Sequence, residues 1–143
     1  MDTAIFVGRI LFSLIFVGSG LMGHLLQADQ TAAYAESKGL PAAKPLVQLS
    51  GLAMLAGAAG VILGIWMDLA FLGLGILVLI IAVVMHPFWK YEGAEQQAEM
   101  PHFMKNLSIA GACLMMFGVV AGLGYDAVSI TGPVIELVSP VHP

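Results

Sequence analysis

Histidine is the residue type that offers this chain the widest chemistry, and three of its four histidines stand at the ends of long apolar segments. His24 closes the first segment, His86 closes the third and His102 opens the fourth. Because consecutive membrane-crossing segments alternate in direction, we expect all three imidazoles at one membrane face. Converging imidazoles could ligate a metal, ligate haem or form hydrogen bonds with a quinone carbonyl.

These histidines also have a plainer interpretation, because polar aromatic side chains commonly occupy the headgroup region of a membrane. No predicted helix contains a His-x-x-x-His or Glu-x-x-His pair, the spacings that bring two metal ligands to one helix face. We therefore predict no metal site. A polar pocket that binds a small molecule is favoured over a metal site.

Two further side chains, Trp89 and Asn106, are expected to border that pocket. Pro87 should end the third helix at His86, because the residue before a proline avoids helical geometry. Trp89 or Phe88 could then cover the ring of a bound quinone. Asn106, just inside the fourth segment, could line the pocket or tie its helix to a neighbour.

Arginine at position 9 lies about a turn and a half into the first apolar segment. A guanidinium at that depth must reach back to the interface or meet an acidic partner. Asp2, Asp68 and Asp126 are expected at the same end of the protein. Arg9 could therefore form a structural ion pair, or it could bind an anionic or quinone-like group.

Thiol chemistry has little basis in this sequence. Cys113 is the only cysteine, so the chain can form no internal disulfide and no Cys-x-x-Cys relay. It stands about ten residues into the fourth segment, where a thiol usually serves as apolar filler. We assign it no catalytic role.

The elements that must position these residues are four apolar segments, at about 4–26, 44–66, 69–89 and 103–125. The chain is 59% hydrophobic and only 10% charged, whereas a soluble domain carries about 25% charged residues. About 20 apolar residues cross the hydrocarbon of a bilayer as a helix, and these blocks lack the alternation of a membrane β-barrel. We predict an all-α integral membrane protein, an antiparallel four-helix bundle within residues 1–125.

The connections are of different kinds. Met67-Asp68 should form a tight turn between the second and third spans. A short surface helix is expected from Thr31, as N-cap, to Gly39 in left-handed geometry. The stretch 90–101 reads as a solvated link, and residues 126–143 as an irregular tail at the membrane interface.

Charge limits the partners, because the net charge is −4 with only five Lys and Arg, which leaves no basic surface for nucleic acid. The positive-inside rule sets four lysines of the two long loops against Arg9. It predicts cytoplasmic loops and both termini outside. Those lysines are Lys38, Lys44, Lys90 and Lys105.

Small residues four apart recur in three spans and favour close helix packing, within one bundle or between two copies of the chain. A homodimer is therefore one expected partnership beside membrane lipids. The pairs are Ser19 and Gly23, Gly60 and Gly64, and Gly118 and Gly122.

Several stretches in order resemble the DoxX-like family: the segment from Arg9 to Gly20, Tyr-Ala-Glu-Ser-Lys-Gly-Leu-Pro41, His86-Pro-Phe-Trp89, and Phe103-Met-Lys-Asn-Leu-Ser-Ile-Ala-Gly111. The resemblance implies a four-helix protein of the bacterial inner membrane. Members are often described as oxidoreductases, because one branch is the small membrane subunit of a thiosulfate:quinone oxidoreductase. By position it singles out Arg9, Gly20, His86, Pro87, Lys105 and Asn106.

Three functions remain open from the sequence. The first is a non-catalytic subunit or scaffold that holds a redox protein partner at the bilayer, with a quinone or lipid between its helices. The second is a binding protein or carrier for a small hydrophobic molecule or lipid. The third is a quinone-linked oxidoreductase, although the chain has no cysteine pair and no nucleotide-binding glycine loop.

Overall fold

The computed structural model describes residues 3–123, 130–135 and 137, and in this part of the chain it contains helices and no strand. Five α-helices follow one another. The first continues as a π-helix over Ser19–Leu26 and the last continues as one over Val119–Leu123. The α-helices are α1 (Thr3–Gly18), α2 (Ala28–Ser37), α3 (Ala43–Leu63), α4 (Met67–Met85) and α5 (Gly93–Gly118).

Four of these helical stretches are long and apolar enough to cross a membrane. They begin with α1, α3, α4 and α5, which confirms the predicted all-α membrane fold. Large apolar side chains such as Leu11 and Leu114 stay exposed by 63% and 64% on the outside of the bundle. In water such a surface would drive aggregation, whereas in a bilayer it faces lipid.

The spans pack in sequence: α1 lies on α3, α3 on α4 and α4 on α5. Their shared core includes Phe16, Met54, Phe71 and Leu74. The short helix α2 packs its alanine face against the beginning of α3, where it forms a second, smaller apolar cluster. This places α2 as a cover over the loop-side end of the bundle.

Helices approach most closely where a glycine faces another span, and of the predicted small residues Gly60 lies at such a position, since a Cβ there would be 3.2 Å from the Cβ of Ala70 on α4. A Cβ atom at Gly51 would lie 2.6 Å from the Cβ of His24, and one at Gly20 would lie 2.9 Å from the Gly51 carbonyl oxygen. Beyond the nearby backbone of its own helix, a Cβ at Gly23 or Gly118 would meet no described atom within 4 Å. The π-helical turn from Ser19 is wider than an α-turn, so it changes which residues face α3.

The turn between α3 and α4 also differs from the prediction. Gly64 and Trp66 adopt left-handed geometry and form the turn, whereas Met67 and Asp68 already belong to the first turn of α4 and are buried. Hydropathy places a charged residue in the loop, but Asp68 has partners inside the fold. One of its carboxylate oxygens accepts the backbone N–H groups of Val134 and Ile135, at 2.7 and 2.8 Å.

Two loop-side predictions are wrong in detail. The last helix begins at Gly93, ten residues before the predicted start, so most of the expected solvated link is helical. Pro101 lies within it, at a point where hydropathy alone indicates a loop. Thr31 is inside α2 and donates to the Gly23 carbonyl at 2.6 Å instead of capping the helix, although Gly39 is left-handed as predicted.

Candidate functional site

His24 is held by α3 at the loop-side end of the first span. Its Nδ1 lies 2.7 Å from the Ser50 hydroxyl and 3.2 Å from the Val47 carbonyl oxygen. The Ser50 hydroxyl donates in turn to the same carbonyl at 2.7 Å. The wide turns of the π-helix bring this half-buried imidazole against α3.

His86 is fixed at the end of α4, where Pro87 stops the helix. Its Nδ1 lies 2.7 Å from a carboxylate oxygen of Glu99 on α5. Its ring stacks on that of His102, with the centroids 5.1 Å apart. His86 therefore joins the ends of two spans.

Glu99 is the centre of a charged cluster that sequence reasoning assigned to a solvated loop. Its second oxygen accepts the Lys38 ammonium at 2.7 Å and the Tyr34 hydroxyl at 3.1 Å. The Lys38 ammonium also donates to the Tyr91 hydroxyl at 3.0 Å. We call Tyr34, Lys38, His86 and Glu99 the Glu99 cluster.

The ion pair at the centre of this cluster is shielded from water, although Tyr34 at its edge is 41% exposed. The side chains of Lys38 and Glu99 are 9% and 12% exposed. The hydrogen bonds from the Lys38 ammonium to Glu99 and then to Tyr91 raise the pKa of Lys38 above its usual range. The ammonium is thus charged at any physiological pH, and the cluster fastens α2 to the start of α5.

Two sequence signals could have located Glu99. Tyr34 and Lys38 are four residues apart, so they share one face of α2. Glu99 and His102 form a Glu-x-x-His pair that lies on one helix only because α5 begins at Gly93. Glu99 forms a hydrogen bond with His86. Among residues 3–123, 130–135 and 137, no three His, Cys, Asp or Glu side chains lie close enough together to hold a metal ion.

A large apolar cavity lies beneath α2 and is open along the side where Leu49 and Ile80 face outward, 63% and 54% exposed. Its volume is about 520 Å³, and α3 and α4 supply most of its walls with side chains such as Leu49, Leu77 and Ile80. His24, Tyr34 and His86 are the larger polar side chains in its lining. We call it the apolar cavity.

A smaller cavity adjoins the same two imidazoles on the inner side of the bundle. It measures about 170 Å³, and its polar lining includes Ser19, Lys105 and Asn106 together with His24 and His86. Asn106 is 9% exposed. We call it the polar cavity, and both imidazoles line both cavities.

The other predicted site residues lie elsewhere. Trp89 is half exposed, packs edge-on against Phe88 and Phe103, and is not among the residues that line the two cavities. His102 reaches them only through its stacking on His86.

Arg9 lies at the opposite end of the bundle, where it is 5% exposed. Its guanidinium rests against the turn between α3 and α4, so a Cβ at Gly64 would meet it at 2.8 Å. Of its predicted partners, Asp2 and Asp126 lie outside the described residues. Arg9 is too distant in the fold to share the cavities with the histidines, which stand at the other ends of the spans.

Comparison with known protein families gives a match over the first four helices. No curated protein and no solved structure matches the chain significantly. The sequence profile of the DoxX family matches residues 4–87, which is more than half of the chain and includes α1 to α4 with His24 and His86. This multi-pass membrane protein therefore belongs to the DoxX family.

Proposed function

We propose that this protein is a membrane subunit that binds a quinone on behalf of a redox protein partner in the bacterial inner membrane. The observation that carries the proposal is the apolar cavity of about 520 Å³ with two imidazoles in its wall. Ligand pockets typically enclose about 300–1,000 Å³, with mostly apolar walls and few polar groups. A quinone has the matching shape, a polar ring head on an apolar chain.

The position of the cavity supports this ligand class. It lies at the loop-side ends of the spans, where a molecule dissolved in the bilayer can reach it with its head near the interface. Leu49 and Ile80 offer apolar contact to a ring or chain, and His24 and His86 offer hydrogen bonds to the head.

A partner protein has to supply the electrons. Cys113 is the only thiol of the chain and is fully buried, so it cannot relay electron pairs through a disulfide of this chain. The loop-side surface formed by α2 and the start of α5 would be where that partner docks.

His86→Ala should lower retention of a short-chain quinone analogue, measured in whichever of its oxidised and reduced forms the wild type binds more tightly, at least about tenfold, because it removes one of two polar contacts to the head. Equilibrium binding to the purified protein in mild detergent measures this. Trp89→Phe is the control, since Trp89 lies outside the cavity lining, and it should bind as the wild type does. Wild-type protein that neither binds the analogue nor copurifies with a quinone would contradict the proposal.

A second candidate function is a carrier for a hydrophobic molecule or lipid, and the almost wholly apolar walls of the larger cavity favour it. Mass spectrometry of the molecules that copurify distinguishes the two, because a lipid without any quinone would favour the carrier.

We also propose cytoplasmic loops, with both termini outside. Single cysteines are introduced at positions 36 and 95 in a Cys113→Ala background. Both should react with a membrane-impermeant maleimide only after the membrane is permeabilised, which gives the reagent access to the cytoplasmic side. Labelling of intact cells at both positions would reverse the orientation. Labelling at only one would contradict the span count.

A further inference from the structure

The hydrogen bonds of the two imidazoles fix which ring nitrogen is left for a ligand. The Nδ1 of His86 faces a Glu99 oxygen at 2.7 Å, and the Lys38 ammonium lies 2.7 Å from the other oxygen of that carboxylate. An ammonium this close keeps a carboxylate ionised, and an ionised carboxylate only accepts hydrogen bonds. The Nδ1 of His86 must therefore carry a hydrogen.

The same reasoning applies to His24. The single hydrogen of the Ser50 hydroxyl is donated to the Val47 carbonyl at 2.7 Å. The Nδ1 of His24, at 2.7 Å from the Ser50 oxygen and 3.2 Å from that carbonyl, then faces two acceptors. It too must carry a hydrogen.

A neutral imidazole with a hydrogen on Nδ1 has an acceptor at Nε2. When it is neutral, each histidine therefore keeps its lone pair on Nε2, and both side chains line the two cavities. This reverses the arrangement expected from the sequence, in which the imidazoles donate to a carbonyl.

We infer that the site selects a ligand whose head carries hydroxyl groups, the hydroquinone form, over the matching quinone. The inference rests on the proposed function, because it concerns the head of the same ligand. Each phenolic hydroxyl can donate to an Nε2 lone pair, whereas a carbonyl oxygen would oppose it.

The polar cavity suits the same head. A hydroxyl oxygen accepts as well as donates, and Lys105 and Asn106 are donors that line this cavity with the two imidazoles. Its volume of about 170 Å³ exceeds the roughly 30 Å³ share of a single water, which leaves room for the hydroxyl end of a ring.

Paired binding measurements test the inference. A short-chain hydroquinone and its quinone are titrated separately, without oxygen and at pH 8, into purified protein. The wild type should bind the hydroquinone at least about tenfold more tightly, the equivalent of about 1.4 kcal/mol.

His86→Asn is the diagnostic variant. The asparagine amide can replace Nδ1 as donor to Glu99 but has no counterpart of Nε2. The variant should stay folded and lose most of the preference, chiefly through weaker hydroquinone binding, whereas Trp89→Phe should keep it.

The two proposals fail in different ways. A wild type that binds the quinone as tightly as the hydroquinone, or more tightly, overturns this inference and leaves the proposed function standing. An unchanged preference in His86→Asn also overturns it. A wild type that binds neither form overturns both.

Discussion

Replacement of Glu99 by glutamine should destabilise the protein and release its ligand faster. The variant removes the negative charge that faces the Lys38 ammonium at 2.7 Å, in a cluster where both side chains are about one-tenth exposed. Hydrogen bonds to charged groups contribute more than neutral ones, so we expect a loss of about 2 kcal/mol after allowance for solvent screening. Thermal unfolding in detergent measures the loss.

The effect on the ligand follows from the position of α2. Tyr34 and Ala35 of this helix line the apolar cavity, and the Glu99 cluster is what fastens α2 to α5. A loosened α2 should raise the dissociation rate of a bound quinone analogue several-fold. Stopped-flow displacement by excess unlabelled analogue measures that rate.

Asp29→Asn is the matched control. It also removes one negative charge from an ion pair with a lysine, since Asp29 lies 2.6 Å from the Lys44 ammonium. These side chains are 84% and 53% exposed, so their pair should contribute less than about 0.5 kcal/mol. Equal effects of Glu99→Gln and Asp29→Asn would mean that the Glu99 cluster has no special role.

The spans and the gathering of His24, His86 and His102 at one end could be predicted from the sequence, because both depend on hydropathy and on the alternating direction of the helices. Alternation places residues at an end of the bundle but does not say which way a side chain turns. It therefore could not separate His24 and His86, which line the cavities, from Trp89, which does not.

The position of Glu99 could not be predicted from the sequence. Its neighbourhood is polar and contains Pro101, so hydropathy assigns it to a loop, whereas its function in the fold depends on contacts with α2 and α4. The turn at Gly64 and Trp66 could not be predicted for a similar reason. The buried carboxylate of Asp68 is stabilised by backbone N–H donors 66 and 67 residues away in sequence, so Asp68 lies in α4 and not in the turn.

Substitution of Gly51 by alanine should have the largest effect on packing at the site. The added Cβ would lie 2.6 Å from the Cβ of His24 and 3.1 Å from the carbonyl oxygen of Gly20. Neither atom can yield by a change of rotamer, so α3 and the π-helical segment must move apart. Overpacking of this kind costs about 1–3 kcal/mol, which outweighs the gain of up to about 1 kcal/mol in helix propensity from glycine to alanine.

The same displacement should reach the ligand site, because His24 is the residue that is pushed. Its bonds to Ser50 and Val47 would lengthen, and binding of the quinone analogue should weaken along with the thermal stability. Gly73→Ala is the matched control, since its added Cβ, on the exposed side of α4, would meet no described atom within 4 Å beyond the nearby backbone of its own helix. Gly73→Ala should be neutral or stabilising, and a Gly51→Ala variant that behaves the same way would show that the close approach of α3 to His24 does not position the imidazole.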